Sequence, residues 1–403
     1  MHRMLVLHTS DWHLGRALHR FDLFAAQAAF VDHLVEVIRA EQVDLVVISG
    51  DVHDRAIPPV TAMRLFDEAL SRMRDAGAHV VVISGNHDAP VRLGDKAGLL
   101  DPRVRIRTDV AKITEPVTVE DAHGPVHVYA LPYLEPAAVV AALPAVTDEA
   151  DQIDRTDEGG EVRAEGTSLT HPAVLRRAMR VVHADRVRRG GRSVVCAHAW
   201  VTGGQASESE RDISVGGLAA VPAGLFDGIT YTALGHLHRP QALRDCLRYS
   251  GSPLPYSFSE RTDVKSSLLV ELDANGLGWV EEIPVPVYRN LARLRGRLAE
   301  LMTAPVHEAH VGDFVSVVLT DTIRPMDAMT TLQRRFPFAL TLIHEPEASE
   351  STDGLTYRQR IRGRSDLAVA EAFVTHVRAE PSEGERSLLQ AALDDARRSE
   401  EAA

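Results

Sequence analysis

Residues 80–90 read VVVISGNHDAP and residues 44–54 read DLVVISGDVHD. In both, an unbroken apolar run of strand length stops at a glycine, and the next side chains are Asn, Asp or His. The same design recurs in LHTSDWHLGR at 7–16, SVVCAHAW at 193–200 and TALGHLHRP at 232–240. Runs of this kind, bounded by Gly or polar residues, are what buried strands look like. Working outward, Met4–His8, Leu45–Ile48, Val80–Ile83, Val126–Ala130, Ser193–Cys196 and Thr230–Leu234 predict six strands. Between the first two, Ala28, Val31, Leu34, Val35 and Ile38 recur at helical steps and predict a helix over Phe24–Ala40. A second helix is predicted from about Thr61 to Arg74, after Pro58 and Pro59. Strands alternating with helices predict an α/β fold.

The chain has 403 residues, 45% of them apolar, with 44 Lys and Arg against 57 Asp and Glu for a formal charge of −13. Lysine occurs only at 96, 112 and 265. Cys196 and Cys246 stand 50 residues apart, which excludes a disulfide framework and a thiolate zinc site. No apolar run approaches the roughly 18 residues of a membrane span, and the N-terminus turns polar too early for a signal-peptide core. The expectation is a cytoplasmic, water-soluble protein. Residues 148–165 carry eight acids and almost no large apolar side chain, so they read as a solvated insertion. After about residue 286 the pattern changes. A helix at Leu291–Met302, a strand at Phe314–Leu319, a helix after Pro325 and a strand at Ala339–Ile343 predict a small α/β unit over 287–348. Residues 349–403 then offer two amphipathic helices, one presenting Val369, Phe373 and Val377, the other opening with Ser382 and Glu385 in capping-box spacing.

The polar residues at the strand ends form an ordered set. In an open α/β sheet, residues just beyond the carboxyl ends of the strands gather in one crevice. Five strands therefore deliver Asp11, His13, Asp51, Asn86, His87, His198, His236 and His238 to one place. D-x-H and H-x-H spacing lets alternate residues of an extended segment face a common ion. A phosphodiester gathers further negative charge as water attacks phosphorus, and two metal ions about 3.5–4 Å apart neutralise it while activating the water. Imidazole with carboxylate and amide oxygen suits Mn, Fe or Zn, whereas Mg prefers an all-oxygen shell. A free histidine beside such a site can protonate the leaving oxygen.

D-x-H, G-D, G-N-H-D, H and G-H-x-H in this order resemble the signature of the calcineurin-like metallophosphoesterase superfamily. Within it, the chain is similar to the SbcD nuclease subunits of bacterial SbcCD (the Mre-eleven type). The stretches 198–211 (HAWVTGGQASESER) and 248–260 (RYSGSPLPYSFSE) carry that closer likeness. The resemblance implies a two-sheet β-sandwich flanked by helices over 1–286, a capping domain over 287–348 and C-terminal partner-binding helices. It implies that Asp11, His13, Asp51 and His238 hold one metal, and that Asp51, Asn86, His198 and His236 hold the other, with Asp51 bridging. Two divalent ions, Mn2+ above others, would be the cofactors. His87 would be the general acid or phosphate-contacting histidine, Asp88 would orient it, and Asp54 would stand on the substrate side. His53 occupies a position where the family carries a bulky aromatic, and reads as packing.

The same resemblance implies Mn-dependent cleavage of DNA, as a 3′→5′ exonuclease on duplex ends and an endonuclease on hairpins and single strands. It also implies a coiled-coil ATPase partner of SbcC type docked on the tail helices, and a homodimer within a heterotetramer. No G-x-x-x-x-G-K-[ST] occurs, so ATP use falls to the partner. The Thr61–Arg74 helix, with Met63, Leu65, Phe66, Leu70 and Met73, offers a dimer face that core packing explains equally well. Arg176, Arg177, Arg180, Arg186, Arg188, Arg189 and Arg192 read as a solvated helical face ahead of a DNA groove; Arg358, Arg360, Arg362 and Arg364 would line one side of an extended chain, either to meet DNA or an acidic partner or as a plain exposed strand. Two rivals remain open. One is a phosphoesterase of small nucleotide or phospholipid diesters, for which more than a hundred residues beyond the motifs are excess. The other is a catalytically silent scaffold, in which ligands should have been lost.

Overall fold

The computed structural model describes residues 3–139, 142–143, 170–210, 220–346, 363–378 and 380–401. The acidic 148–165 segment and Arg358, Arg360 and Arg362 lie outside these. Strands are numbered along the chain, counting the short hairpin Ala17–Leu18 (β2) and Phe21–Asp22 (β3). One six-stranded sheet has the spatial order Gly276–Pro284 (β14), Ser266–Asp273 (β13), Met4–Thr9 (β1), Leu45–Ser49 (β4), His79–Ile83 (β5) and Val104–Arg107 (β6). The other has the order Gln241–Arg244 (β11), Leu247–Tyr249 (β12), Tyr231–Gly235 (β10), Arg192–His198 (β9), Gly124–Leu131 (β8) and Val117–Asp121 (β7). β1, β4, β5 and β6 run parallel, as do β8, β9, β10 and β12, while β13, β14, β7 and β11 are antiparallel additions.

Alternate residues of each parallel strand enter different cores, so both must be apolar. Val6, Val47, Val81 and Ile83 meet Val126, Val128, Val194, Cys196 and Ala233 between the sheets. Leu5, Leu7, Val46, Ile48, Val80 and Val82 face outward instead, under the helices Phe24–Glu41 (α1) and Val60–Asp75 (α2). The helix His171–Arg189 (α3) covers the second sheet with Val174, Leu175, Ala178 and Val182. Burial on both faces explains the absence of polar alternation in the strands. The result is a helix–sheet–sheet–helix sandwich. On α2, Leu65, Phe66, Leu70 and Met73 are built into the core beside Ala62 and Ala69, and of the proposed dimer stripe only Met63 is exposed. Around the end of α3, Arg189 binds Asp185 at 2.6 Å, and Arg192, at the start of β9, is buried on Asp121 at 2.9 Å.

The chain divides after Asn290. In the second unit Leu291–Gly296 (β15), Phe314–Leu319 (β16) and Ala339–His344 (β17) form a parallel sheet around Leu294, Leu301, Val317, Leu332 and Phe336. The helix expected at Leu291–Met302 is corrected here: β15 takes its first half and a helix, Leu298–Thr303, its second. The leucine spacing is compatible with a helix, yet Ala292 and Leu294 alternate inward against β16, and Gly296 weakens a helix at its middle by about 1 kcal/mol. The tail forms helices Asp366–Val377 and Glu383–Glu401. Ser382 and Glu385 make the expected capping box, with Ser382 N–H on Glu385 Oε2 at 2.8 Å and Glu385 N–H on Ser382 Oγ at 3.4 Å. Among the described residues, no helix is long and apolar enough to cross a membrane.

His8 joins the two sheets. On β1, its Nε2–H donates to the Leu234 carbonyl at 3.1 Å, leaving Nδ1 to accept from the Tyr231 hydroxyl at 2.9 Å. Burial pushes its pKa down to about 3, so it is a neutral strut with no part in chemistry. The unfolded chain takes up this proton near 6.5, the folded chain only near 3, so stability falls as pH drops through that window. We expect the metal-free protein to lose about 1.4 kcal/mol per pH unit there through His8, and His8→Gln to remove that share of the slope in urea titrations at several pH values. An unchanged slope would place the proton elsewhere.

Candidate metal centre

The strand-end residues meet where the two sheets face each other, with β1, β4 and β5 supplying one side and β9 and β10 the other. This differs from the single open sheet assumed from the crevice rule. The turn geometry also differs from a simple glycine hinge. Asp11, His13, Asp51 and His236 themselves take positive φ, at 55°, 43°, 47° and 107°, and account for four of the eight non-glycine residues that do so among those described. Such conformations cost on the order of 1–3 kcal/mol each and persist only where the surroundings enforce them. Gly50 does take φ 91°. Gly85 and Gly235 are needed for closeness instead: a Cβ on Gly85 would stand 2.1 Å from Asp51 Oδ1, and one on Gly235 1.9 Å from the Ser49 carbonyl oxygen.

Asp51 Oδ2 is the hub. The Nε2 atoms of His198, His13 and His87 lie 3.6, 3.7 and 4.0 Å from it. Donor atoms of Asp11, His13 and His238 lie within 4.8 Å of one another, as do those of Asp11, Asp51 and His198. His13 Nε2 is 3.0 Å from His238 Nε2, while Asn86 Oδ1 is 2.8 Å from His198 Nε2 and 3.3 Å from His236 Nδ1. All seven residues implied as ligands, Asp11, His13, Asp51, Asn86, His198, His236 and His238, are therefore brought together.

The donor set can be tested against a cation through tautomers. His198 Nδ1–H donates to the Ser49 carbonyl at 2.9 Å, so its Nε2 carries a lone pair. That lone pair faces the Asn86 carbonyl oxygen, another acceptor, while Asn86 Nδ2 has no partner among the described residues. His238 follows the same logic. Ser209 Oγ donates to Glu260 Oε1 at 2.6 Å and so accepts from His238 Nδ1–H, which turns the Nε2 lone pair toward His13. Acceptors aimed at acceptors in a buried pocket are satisfied by cations, and an outer partner on the far ring nitrogen is the usual way to fix a ligand histidine. The charges agree. Burial, then repulsion from Asp51, lifts Asp11 well above the carboxylate range, and burial raises Asp51 to about 7. Burial drives His13, His236 and His238 well down and His198 to about 4. Divalent ions reverse this penalty for the carboxylates and use the neutral imidazoles directly. The residues present fit two metals sharing Asp51.

The three residues assigned catalytic roles separate. His87 is half-buried at the rim; its Nδ1–H donates to the Asp54 carbonyl at 2.7 Å and its backbone N–H to Asp51 Oδ1 at 2.8 Å. The orienting contact implied for Asp88 therefore comes from the Asp54 backbone. Asp88 is instead a buried clamp that accepts from the N–H groups of Val52, His53 and Gly85 at 3.1, 2.9 and 2.9 Å and so locks the two loops bearing Asp51 and Asn86. The Asp54 carboxylate faces His13 Nδ1 at 3.8 Å and Arg16 Nε at 3.7 Å. His53 packs edge-on against Phe66, 5.5 Å between centroids.

Several functional neighbours are not visible in the motifs. Glu210 accepts the His238 backbone N–H at 2.8 Å. Tyr256 wedges its ring against His13 and His238 and donates to the Trp12 carbonyl. Gln27 of α1 donates to the His13 carbonyl at 2.9 Å. Lys265 is buried on Glu260 and on the His238 carbonyl, the latter at 2.8 Å. Glu210 and Tyr256 sit inside the 198–211 and 248–260 stretches without an assigned role, and nothing in the sequence singles out Gln27 or Lys265.

Removing one member of a buried pair leaves the other charge stranded. We expect Lys265→Ala to destabilise the protein by about 3–5 kcal/mol in urea unfolding. It should also lower metal occupancy, because Glu260 then no longer fixes Ser209 under His238. Wild-type stability with full occupancy would show that the pair is idle.

Two solved structures match this chain at low identity and low TM-score. TT1561 of Thermus thermophilus is 14% identical, with 71% of this chain and 100% of that one covered at a TM-score of 0.39. A dimetal phosphatase from Danio rerio is 12% identical, with 70% and 99% covered at a TM-score of 0.37. Residues 4–240 match the calcineurin-like phosphoesterase family, a span that includes all seven candidate ligand residues. The chain belongs to the calcineurin-like phosphoesterases, a family dependent on a dinuclear metal centre, and is a hydrolase of phosphoester bonds.

Proposed function

We propose that this protein is a Mn2+-dependent DNA nuclease subunit of the SbcD type. It would degrade duplex ends 3′→5′, open hairpins and single strands, and work with a coiled-coil ATPase of SbcC type in DNA end processing. The observation that carries the reading lies in the outer grip on His238. The two stretches most similar to SbcD nucleases, 198–211 and 248–260, are the ones that supply Ser209, Glu210, Tyr256 and Glu260 around that histidine. The mixed imidazole, carboxylate and amide ligand set suits Mn2+. In the tail, Phe373, Val377 and Leu388 are exposed beside a cavity of about 450 Å³, which suits an apolar partner surface for an assembly of two such chains and two ATPase chains.

When bound, the metals supply an activated water and neutralise the phosphate oxygens. The chain's own contribution is at His87. With Nδ1–H fixed on the Asp54 carbonyl, the protonated ring presents Nε2–H to the site and hands that proton to the leaving oxygen as the phosphorus–oxygen bond breaks. Asp88 holds the loops that set the distance between Asp51 and Asn86. The formal charge of −13 favours a second reading, a phosphoesterase of small nucleotide or phospholipid diesters, since polyanion affinity ordinarily comes from Lys and Arg.

The two are separated by offering duplex DNA, cyclic nucleotides and bis(p-nitrophenyl) phosphate to the Mn-loaded chain. We expect DNA to be degraded from its ends. Turnover of small diesters alone would establish the second reading. His87→Ala should slow DNA cleavage by about 10²–10⁴-fold with metal content unchanged, read by elemental analysis. A metal-depleted variant would make His87 a ligand.

A further inference from the structure

Beside the metal centre, on the open edge of the first sheet, lies a cleft that the proposed chemistry does not use. Strand β6 is that edge, and it carries Arg105 and Arg107 in register with Val81 and Ile83 of β5. Val81 and Ile83 point between the sheets, so both arginines continue the same face where the sandwich opens. With Lys112 they line a concavity of about 500 Å³ walled by Gly94, Ala97 and Gly98. Among the described residues neither arginine has a carboxylate partner within 4.0 Å, and Arg107 Nε is buried without a hydrogen bond. Lys112 makes only a long pair with Asp109, at 4.0 Å and half-exposed. Of three lysines in the chain, Lys112 lines this cleft and Lys96 immediately precedes the Ala97–Leu99 turn that walls it. Such a concentration of cations is conspicuous in a chain of charge −13.

The cleft adjoins a cavity that reaches the metal centre. A second cavity, of about 560 Å³, starts at Asn86 beside Tyr133 and shares the wall Thr108–Asp109 with the first. Charge on an edge strand also discourages strand addition, but that role requires neither a concave surface nor a third cation from another segment. We propose that the Arg105–Arg107–Lys112 cleft binds backbone phosphates of a nucleic-acid strand whose scissile phosphate sits at the metal centre. It would thereby supply the polyanion affinity that the overall charge withholds. This rests on the nuclease reading and specifies where the strand runs. Guanidinium groups match phosphate oxygens bidentately, and the strand on this proposal passes Thr108 and Asp109, which line both cavities.

The test uses the full-length, Mn-loaded chain and a fluorescent oligothymidine with nuclease-resistant phosphorothioate linkages. Anisotropy at several salt concentrations gives Kd and its salt slope. In R105Q/R107Q/K112Q, Kd should rise about tenfold and the slope of log K against log salt should flatten by about 2, three contacts at about 0.7 each. Hydrolysis of bis(p-nitrophenyl) phosphate should be unchanged, and R105K/R107K should keep the slope. If wild type cleaves DNA while the glutamine variant binds as tightly and with the same slope, the cleft is overturned and the nuclease reading stands. An equal loss in the lysine variant would make the effect one of packing and also overturn it. A wild-type chain that neither binds nor cleaves any strand removes both.

Discussion

Two buried carboxylates and four buried imidazoles, two of them (His198 and His238) with a lone pair fixed toward the site, crowd one pocket that positive charge would satisfy. Asp11 and Asp51 are pushed toward neutrality by burial, and His13, His198, His236 and His238 are kept from protonating by it. The geometry nevertheless aims Asn86 Oδ1 at His198 Nε2, and His238 Nε2 at His13, at hydrogen-bond distance. Divalent cations convert this from a liability into a bonded centre, and the rest of the sandwich is arranged to hold it. The strained backbone at Asp11, His13, Asp51 and His236 is one consequence, and the crowding that forbids a side chain at Gly85 and Gly235 is another.

The two sheets make the arrangement stiff. Neither sheet holds the ligand set alone, and the facing apolar layer of Val47, Val81, Cys196 and Ala233 fixes one against the other. His8 adds a neutral polar strut between them. Around the ligands, backbone and carboxylate acceptors decide each proton: Ser49 for His198, Asp54 for His87, and Ser209 with Glu260 for His238. Asp88 acts on loops rather than on substrate. Catalytic precision here is a property of hydrogen bonds that lie one layer outside the metals.

Much of this was legible in the sequence because the strands are buried on both faces and must be apolar throughout, so a polar residue at a strand end stands out. All six predicted strands and both early helices occur near their expected limits, and the ordered polar fragments converge. What was not legible depends on partners distant in sequence. Leu291–Gly296 has helical leucine spacing and becomes a strand only because β16 is there to pair with it. The resemblance implies an orienting role for Asp88 beside His87, yet its carboxylate turns to the amides of Val52 and His53, more than thirty residues away. Ser209, His238 and the Glu260–Lys265 pair assemble across three segments, and no local spacing announces such a network.

The account stands on a single carboxylate shared by two ions. Crystals grown with Mn2+ and measured on both sides of the manganese absorption edge test this directly. Two anomalous peaks about 3.5–4 Å apart should flank the Asp51 carboxylate. One should lie against Asp11, His13 and His238, the other against Asn86, His198 and His236. A lone peak, or a pair that leaves Asp51 uncoordinated, would contradict it.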